Sequence, residues 1–324
     1  MTLLQAITQF IDNISVTDRQ EDGIKTALGN IYGYLMDTEN NLYVENTFTN
    51  GSYDRDTIIR PLDDIDIFAV LKREDWEDEY QQLPSPQSVL TKIRNYLNGI
   101  AVYEGKVRQD RPCVTIRLSD KDFDILPSFP QTGGGYMIPK HDLTGWTYAY
   151  PEQLSDQLEA AHKQRNYKVK QIIKAVKHWN RGIDKLIPSY HIEEAAINIF
   201  SINSFINYRE GIERWFKNAQ YCLLSNKFKS NDDYLAAVEH IKKVTEKLDE
   251  ASAKCTDGKE PEAVQLWKAV FGREFPTIDP AEAKAFASSI SEGSLKVGAS
   301  GVLSAISGFS IPASKGYHGG LSEV

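Results

Sequence analysis

Residues 64–71 read Asp-Ile-Asp-Ile-Phe-Ala-Val-Leu, the strongest strand pattern in the chain, and two carboxylates stand at its head. On a strand, successive side chains leave opposite faces, so Asp64 and Asp66 share one face while Ile65 and Ile67 enter a core on the other. Such a strand commits the chain to a sheet with a buried side and an acidic patch at one strand end. Two carboxylates so close repel each other unless a cation lies between them. Mg2+, or Mn2+ in its place, takes oxygen ligands and shares them with substrate phosphates. A third acid on a neighbouring strand would complete a site for two ions roughly 3.5–4 Å apart. Asp124, in Phe123-Asp124-Ile125, has the right setting, and Asp122 lies two residues earlier on the same face.

A lone Asp-x-Asp is a common solvated pair. What distinguishes this one is Gly51-Ser52, twelve residues ahead of Asp64. Glycine lets the backbone come close to a phosphate, and the serine hydroxyl with successive N–H groups can hold a triphosphate beside the metals. The combination predicts metal-assisted chemistry on a triphosphate, with Asp64, Asp66 and Asp124 as metal ligands and Gly51 and Ser52 as phosphate contacts.

The remaining elements give an α+β order. The first 40 residues read as helix, with Thr17-Asp18 as a cap and Ile24, Leu28, Ile31 and Leu35 at helical spacing. Extended segments are expected at 41–50, 64–71, 113–118 and 123–126, with a helix at 86–97 and a flexible loop at Gly133-Gly134-Gly135. From about Pro151 helical patterns follow one another: 153–163, 167–185, 191–205, 212–224, 232–248 and 262–271. Mixed elements followed by helices alone imply a core with its N-terminal helix over 1–150, a helical lobe over 151–290 and a flexible Gly/Ser-rich tail over 291–324.

Composition excludes several classes. No apolar stretch is long enough to span a membrane, and the N-terminus lacks a signal-peptide layout. Three scattered cysteines form no disulfide framework or zinc-finger spacing, so a reducing cytoplasm is the expected compartment. The net charge of −8 argues against a dedicated nucleic-acid binder.

Gly51-Ser52, about a dozen residues and then Asp64-Ile65-Asp66-Ile67 resembles the Gly-Ser…h-D-h-D-h signature of the polymerase-β-like nucleotidyltransferase superfamily, with h an apolar residue and Asp63 standing at the first h position here. The wider stretch GSYDRDTIIRPLDDIDI resembles the cGAS/DncV-like nucleotidyltransferases (CD-NTases) of bacterial anti-phage signalling (CBASS) systems. Two further segments are similar to that family: Ile172–Asn180 with Ser189-Tyr190-His191-Ile192-Glu193, and Trp267–Pro276. The similarity covers about residues 15–280.

The resemblance implies a polymerase-β-like core followed by a helical lobe, and a Mg2+-dependent enzyme that joins ATP and other NTPs into a cyclic di- or trinucleotide second messenger. It implies that Asp124 also accepts the proton of the attacking hydroxyl, that Lys177 and Ser189 hold the outer phosphates, and that Tyr190 stacks on the donor base. Trp146-Thr147-Tyr148-Ala149 resembles the strand lining the acceptor pocket, with Thr147 a candidate for base choice. Independently, Lys170, Lys174, Lys177 and Arg181 share one face of their helix, a basic row suited to a triphosphate. Two other classes stay open: a linear oligonucleotide synthase or RNA/protein nucleotidyltransferase, and a non-catalytic nucleotide-binding module, although the presence of all three acids speaks against decay. Duplex DNA is not expected as an activator, and a regulatory protein partner is left open.

Overall fold

The acidic-headed apolar run is a central strand. In a computed structural model, which describes residues 1–277 and the backbone of three two-residue strands beyond them, β2 (Ile65–Leu71) lies between β1 (Val44–Asn50) and β5 (Asp122–Pro130). It pairs antiparallel with β1 and parallel with β5. β4 (Cys113–Arg117) and then β3 (Val107–Asp110) continue the sheet beyond β5. The short strands β6 (Tyr136–Pro139) and β7 (Trp146–Ala149) branch from the end of β5. The edge strand β3, Val-Arg-Gln-Asp, is half-exposed and lacks the apolar pattern that marks β2.

Ile65 and Ile67 are fully buried, with α2 (Asp18–Leu35) and α4 (Pro86–Asn98) contributing to the same core. α2 supplies Ile24, Leu28, Ile31 and Leu35; α4 supplies Val89, Leu90, Ile93 and Leu97. Each such side chain is worth roughly 1.5–3 kcal/mol relative to exposure. The expected cap is present: Thr17 and Gln20 form a reciprocal capping box that satisfies two free N–H groups at the start of α2. The first 40 residues hold two helices, since α1 (Leu3–Ile14) ends before that cap.

The chain falls into two units. The larger is Ile11–Glu246, which holds the seven-stranded sheet and the helices α5 (Pro151–Gln164), α6 (Val169–Arg181), α7 (Ser189–Ile202) and α8 (Tyr208–Cys222). The division expected at residue 150 therefore lies inside it. There, Gly211 at the start of α8 meets α6 so closely that an added Cβ would lie 2.3 Å from Ile172 Cδ1. Trp179 of α6 packs edge-on against Phe216 of α8, with ring centroids 4.9 Å apart.

The smaller unit comprises Met1–Phe10 and the chain from Lys247. In it, Phe10 packs against Phe271 and Phe275, and the Leu3 N–H donates to Glu260 Oε2 at 2.8 Å. Phe271 ends the helix Glu260–Phe271, and Trp267 is buried in the same cluster. The tail expected to be flexible over 291–324 lies outside the described residues, apart from Lys296–Val297, Leu303–Ser304 and Phe309–Ser310, which pair with one another.

Candidate active site

One register row crosses the sheet. Asn50 of β1 stands opposite Asp66 of β2, Asp66 opposite Asp124 of β5, and Asp124 opposite Thr115 of β4. Paired positions of adjacent strands share a face, so the two carboxylates are lateral neighbours. Thr115 donates its hydroxyl to Asp124 Oδ1 at 2.6 Å. Asp64 precedes β2 and is exposed.

Gly51 explains why the Gly-Ser turn fits only here. Its φ is +73°, and a Cβ would sit 1.9 Å from Asp66 Oδ2. Only glycine allows this backbone to lie against the acid. From Gly51 the chain winds into one helical turn, α3 (Gly51–Asp54). The Ser52 carbonyl then accepts the N–H groups of Thr57 and Ile58 at 2.8 and 2.9 Å, which fixes the loop.

Electrostatically the acids are poised for a cation. Burial raises the Asp66 pKa to about 7, reinforced by repulsion from Asp124 and Asp64 and opposed by Arg55 and Lys177. Asp64 is raised by burial and by Asp122 and Asp63. Asp124 is raised by burial and by Asp64, Asp110 and Asp122, against the lowering effect of the Thr115 hydrogen bond. Among the described residues, no three His, Cys, Asp or Glu side chains converge into an all-protein metal cage. The donor set still suits a hard divalent ion: Mg2+ needs only one or two carboxylates and completes its shell with water and phosphate oxygens.

A cleft of about 610 Å³ gathers most of the expected residues. Gly51, Ser52, Asp64, Asp66 and Asp124 line it together with Lys177, Ser189 and Tyr190. Ser189 opens α7, and Tyr190 is 42% exposed with Lys227 Nζ 5.3 Å from its ring centroid. Of the β7 segment, Ala149 and the following Tyr150 line the cleft, whereas Thr147 is exposed and does not.

Each member of the basic row on α6 meets an acid of the same chain. Lys170 pairs with Glu159 (2.9 Å), Lys174 with Asp56 (2.8 Å), Lys177 with Glu193 (2.7 Å) and Arg181 with Asp63 (2.5 Å). Lys185, beyond the helix, also reaches Asp63 at 2.8 Å and lines the cleft. Lys177 is 5% exposed. Sequence patterns alone did not single out three cleft residues: Arg55, Lys185 and Glu193. Arg55 and Glu193 lie inside the motifs quoted above, but no spacing rule pairs residues 138 positions apart.

Residues 1–162 match the family model for the Second Messenger Oligonucleotide or Dinucleotide Synthetase domain, SMODS. The chain belongs to the SMODS family. This SMODS protein is 25% identical, over 85% of its length and 98% of the relative's, to a probable cyclic nucleotide synthase of Bacillus cereus (strain VD146). Its fold matches Escherichia coli MS115-1 CdnC solved with ATP (TM-score 0.67, 16% identity, 84% of this chain and 98% of that one). It also matches Vibrio cholerae DncV, a cyclic AMP-GMP synthase and prokaryotic cGAS homologue (TM-score 0.66, 11% identity, 85% and 97%). The SMODS chain is thus a nucleotidyltransferase with the cGAS/DncV-like α+β fold, as its motifs imply.

Proposed function

We propose that this nucleotidyltransferase joins ATP and other NTPs into a cyclic di- or trinucleotide second messenger for anti-phage signalling. The observation that carries the reading is the in-register pair Asp66–Asp124, closed against Gly51 and Ser52 in one cleft with Lys177, Ser189 and Tyr190. The relatives named above, a probable cyclic nucleotide synthase and a cyclic AMP-GMP synthase, support the product class.

In this reading Asp64, Asp66 and Asp124 hold Mg2+, or Mn2+, which when bound would polarise the donor phosphate and neutralise charge on the departing pyrophosphate. Ser52, Ser189 and Lys177 orient the triphosphate, and Tyr190 stacks on the donor base. Asp124 takes the proton of the attacking hydroxyl. Its Oδ1 accepts the Thr115 hydroxyl, so Oδ2 is the freer oxygen to receive it. Ala149 and Tyr150 line the wall where a second nucleotide would offer its hydroxyl. The catalytic core is assigned to residues 1–150 and the helical lobe to 151–290.

The cytoplasm is the proposed compartment. Cys113, Cys222 and Cys255 form no disulfide, and among the described residues no helix is long and apolar enough to cross a membrane.

The deciding experiment incubates the full chain with labelled NTPs and Mg2+ and resolves the products by mass and by phosphatase treatment. Phosphatase-resistant products whose mass equals joined nucleoside monophosphates with no free 5′-triphosphate are expected. Linear products that keep a 5′-triphosphate would favour the linear-synthase reading, and absence of any product would favour a binding module.

A further inference from the structure

Glu193 is fully buried, yet it carries a charge and lies in the wall of the cleft. Its Oε2 accepts from Arg55 Nε at 2.7 Å, and its Oε1 accepts from Lys177 Nζ at 2.7 Å and from the Thr57 hydroxyl. Lys177 Nζ also donates to Thr57 Oγ1 at 2.9 Å. Three separate segments therefore meet at one carboxylate: the loop after Ser52, helix α6 and helix α7. Glu193 also stands one helical turn beyond Ser189, so whatever anchors it sets the position of the α7 N-terminus that carries Ser189 and Tyr190.

Donor accounting shows what this arrangement leaves over. A lysine ammonium has three N–H donors, and here two are used, one on Glu193 and one on Thr57. Arg55 donates Nε to Glu193 and Nη1 to Asn50 Oδ1, and Nη2 has no partner among the described residues. Both cations line the cleft next to Ser52. Stability alone is a weak reason for such a cluster, since buried ion pairs are often matched or bettered by apolar side chains of the same volume.

We infer that Glu193 is a positioning residue: it holds Arg55 and Lys177 side by side in the cleft wall with N–H donors to spare, one on Lys177 and three on Arg55, for the phosphates of the incoming nucleotide. The inference rests on the nucleotide reading of the cleft and assigns Arg55 to the same phosphate site. Burial opposes ionisation of Glu193, but Lys177 and Arg55 outweigh it and hold the carboxylate charged.

The sign of one measurement separates positioning from bulk charge. Arg55, Lys177 and Glu193 together carry one net positive charge. Glu193→Gln removes a negative charge beside an anion site, so charge alone predicts tighter anion binding. Positioning predicts weaker binding, because a neutral amide cannot hold two cations in register. Calorimetry on the full chain with inorganic tripolyphosphate, and separately with ATP, reads this directly at a temperature where circular dichroism shows the variant folded. Glu193→Gln is expected to bind both about tenfold or more weakly, the scale of one charge-assisted hydrogen bond. Its KM for NTP should rise by a similar factor, with kcat changed much less.

Thr57→Val supplies a second arm that alters no charge and preserves volume closely. It should weaken tripolyphosphate binding in the same direction, and Thr57→Ser should restore it. If Glu193→Gln does not fold, this pair decides the question. Tripolyphosphate binding by folded Glu193→Gln that is unchanged or tighter overturns the inference, as does unchanged binding by Thr57→Val where that pair decides. A wild-type chain that bound neither probe would overturn the nucleotide reading as well, so the two failures are distinguishable.

Discussion

Asp66 and Asp124 face each other in register across the parallel strands β2 and β5, and the hydroxyl of Thr115, one strand farther on, is bonded to the second of them. The pair is electrostatically unfavourable in the protein without a cation. Burial and the neighbouring acids raise the Asp66 pKa from 3.8 to about 7.

That shift has a consequence for stability. Between pH 4 and 7 folded Asp66 keeps a proton that the unfolded chain has released. The folded state binds more protons, so stability falls as pH rises through this window and stays low above it. The shift corresponds to about 4 kcal/mol at most, less whatever solvent screening removes. Asp66→Asn should therefore raise the melting temperature clearly at pH 8 and barely at pH 4. Mg2+ should raise the wild-type melting temperature at pH 8 and leave that of Asp66→Asn nearly unchanged. Thermal unfolding at the two pH values, with and without Mg2+, checks both. Equal effects of the substitution at both pH values would remove the repulsion from the account.

Gly51 offers a sharper steric test. An added methyl would lie 1.9 Å from Asp66 Oδ2 at a backbone φ of +73°. Gly51→Ala must therefore displace the acid or the loop, at a cost of roughly 1–3 kcal/mol for the strained backbone alone. Nucleotidyl transfer should fall by orders of magnitude while the far-UV circular dichroism stays native. Near-wild-type turnover in Gly51→Ala would mean that the loop can move away from Asp66 without loss of function.

Much of this site could be read in the sequence because it is local. Gly51, Ser52, Asp64 and Asp66 lie within sixteen residues, and the period-two pattern of a strand places both acids on one face. Asp124 was legible because a lone acid set between apolar residues on a short strand is costly to bury unless a partner or a cation compensates it. The basic row was legible as a helical face, but not its partners. Spacing on α6 cannot reveal that Asp56, Asp63 and Glu193, on other segments, meet Lys174, Arg181 and Lys177. Five of the six helices of 151–271 were found to within four residues by their apolar period, whereas the one expected to end at residue 248 runs on to Thr256. The edge strand β3 was missed because an exposed edge carries no such period.

The pairing of the α6 cations also bears on nucleic acid. Lys170, Lys174, Lys177 and Arg181 each spend charge on an acid of the chain, and the net charge is −8. Binding of duplex DNA depends on basic groups that displace counterions from the phosphates. The full chain should bind a duplex no more tightly than about 10 µM at physiological salt, within the non-specific range. Fluorescence anisotropy across a salt series measures it. Sub-micromolar affinity that falls steeply with salt would show a basic surface elsewhere on the chain.

Tyr190 separates recognition of the base from recognition of the phosphates. It opens α7 directly after Ser189, is 42% exposed, lines the cleft and has Lys227 Nζ 5.3 Å from its ring centroid. A tyrosine so exposed contributes little to the core, so its removal should hardly affect folding. If its ring stacks on the donor base, Tyr190→Ala should lose about 1–3 kcal/mol of ATP affinity, by analogy with base–aromatic stacking in nucleic-acid binding. Tyr190→Phe should keep most of that affinity, because stacking uses the ring and not the hydroxyl. Inorganic tripolyphosphate has no base and should bind Tyr190→Ala as it binds the wild type, whereas Lys177→Ala should lose affinity for both ligands. Calorimetry with the two ligands on the two variants gives four affinities whose pattern is diagnostic. If Tyr190→Ala bound ATP as tightly as the wild type, the base would have to be held elsewhere in the cleft. Tyr150, 58% exposed and lining the same cleft, would then be the aromatic to substitute next.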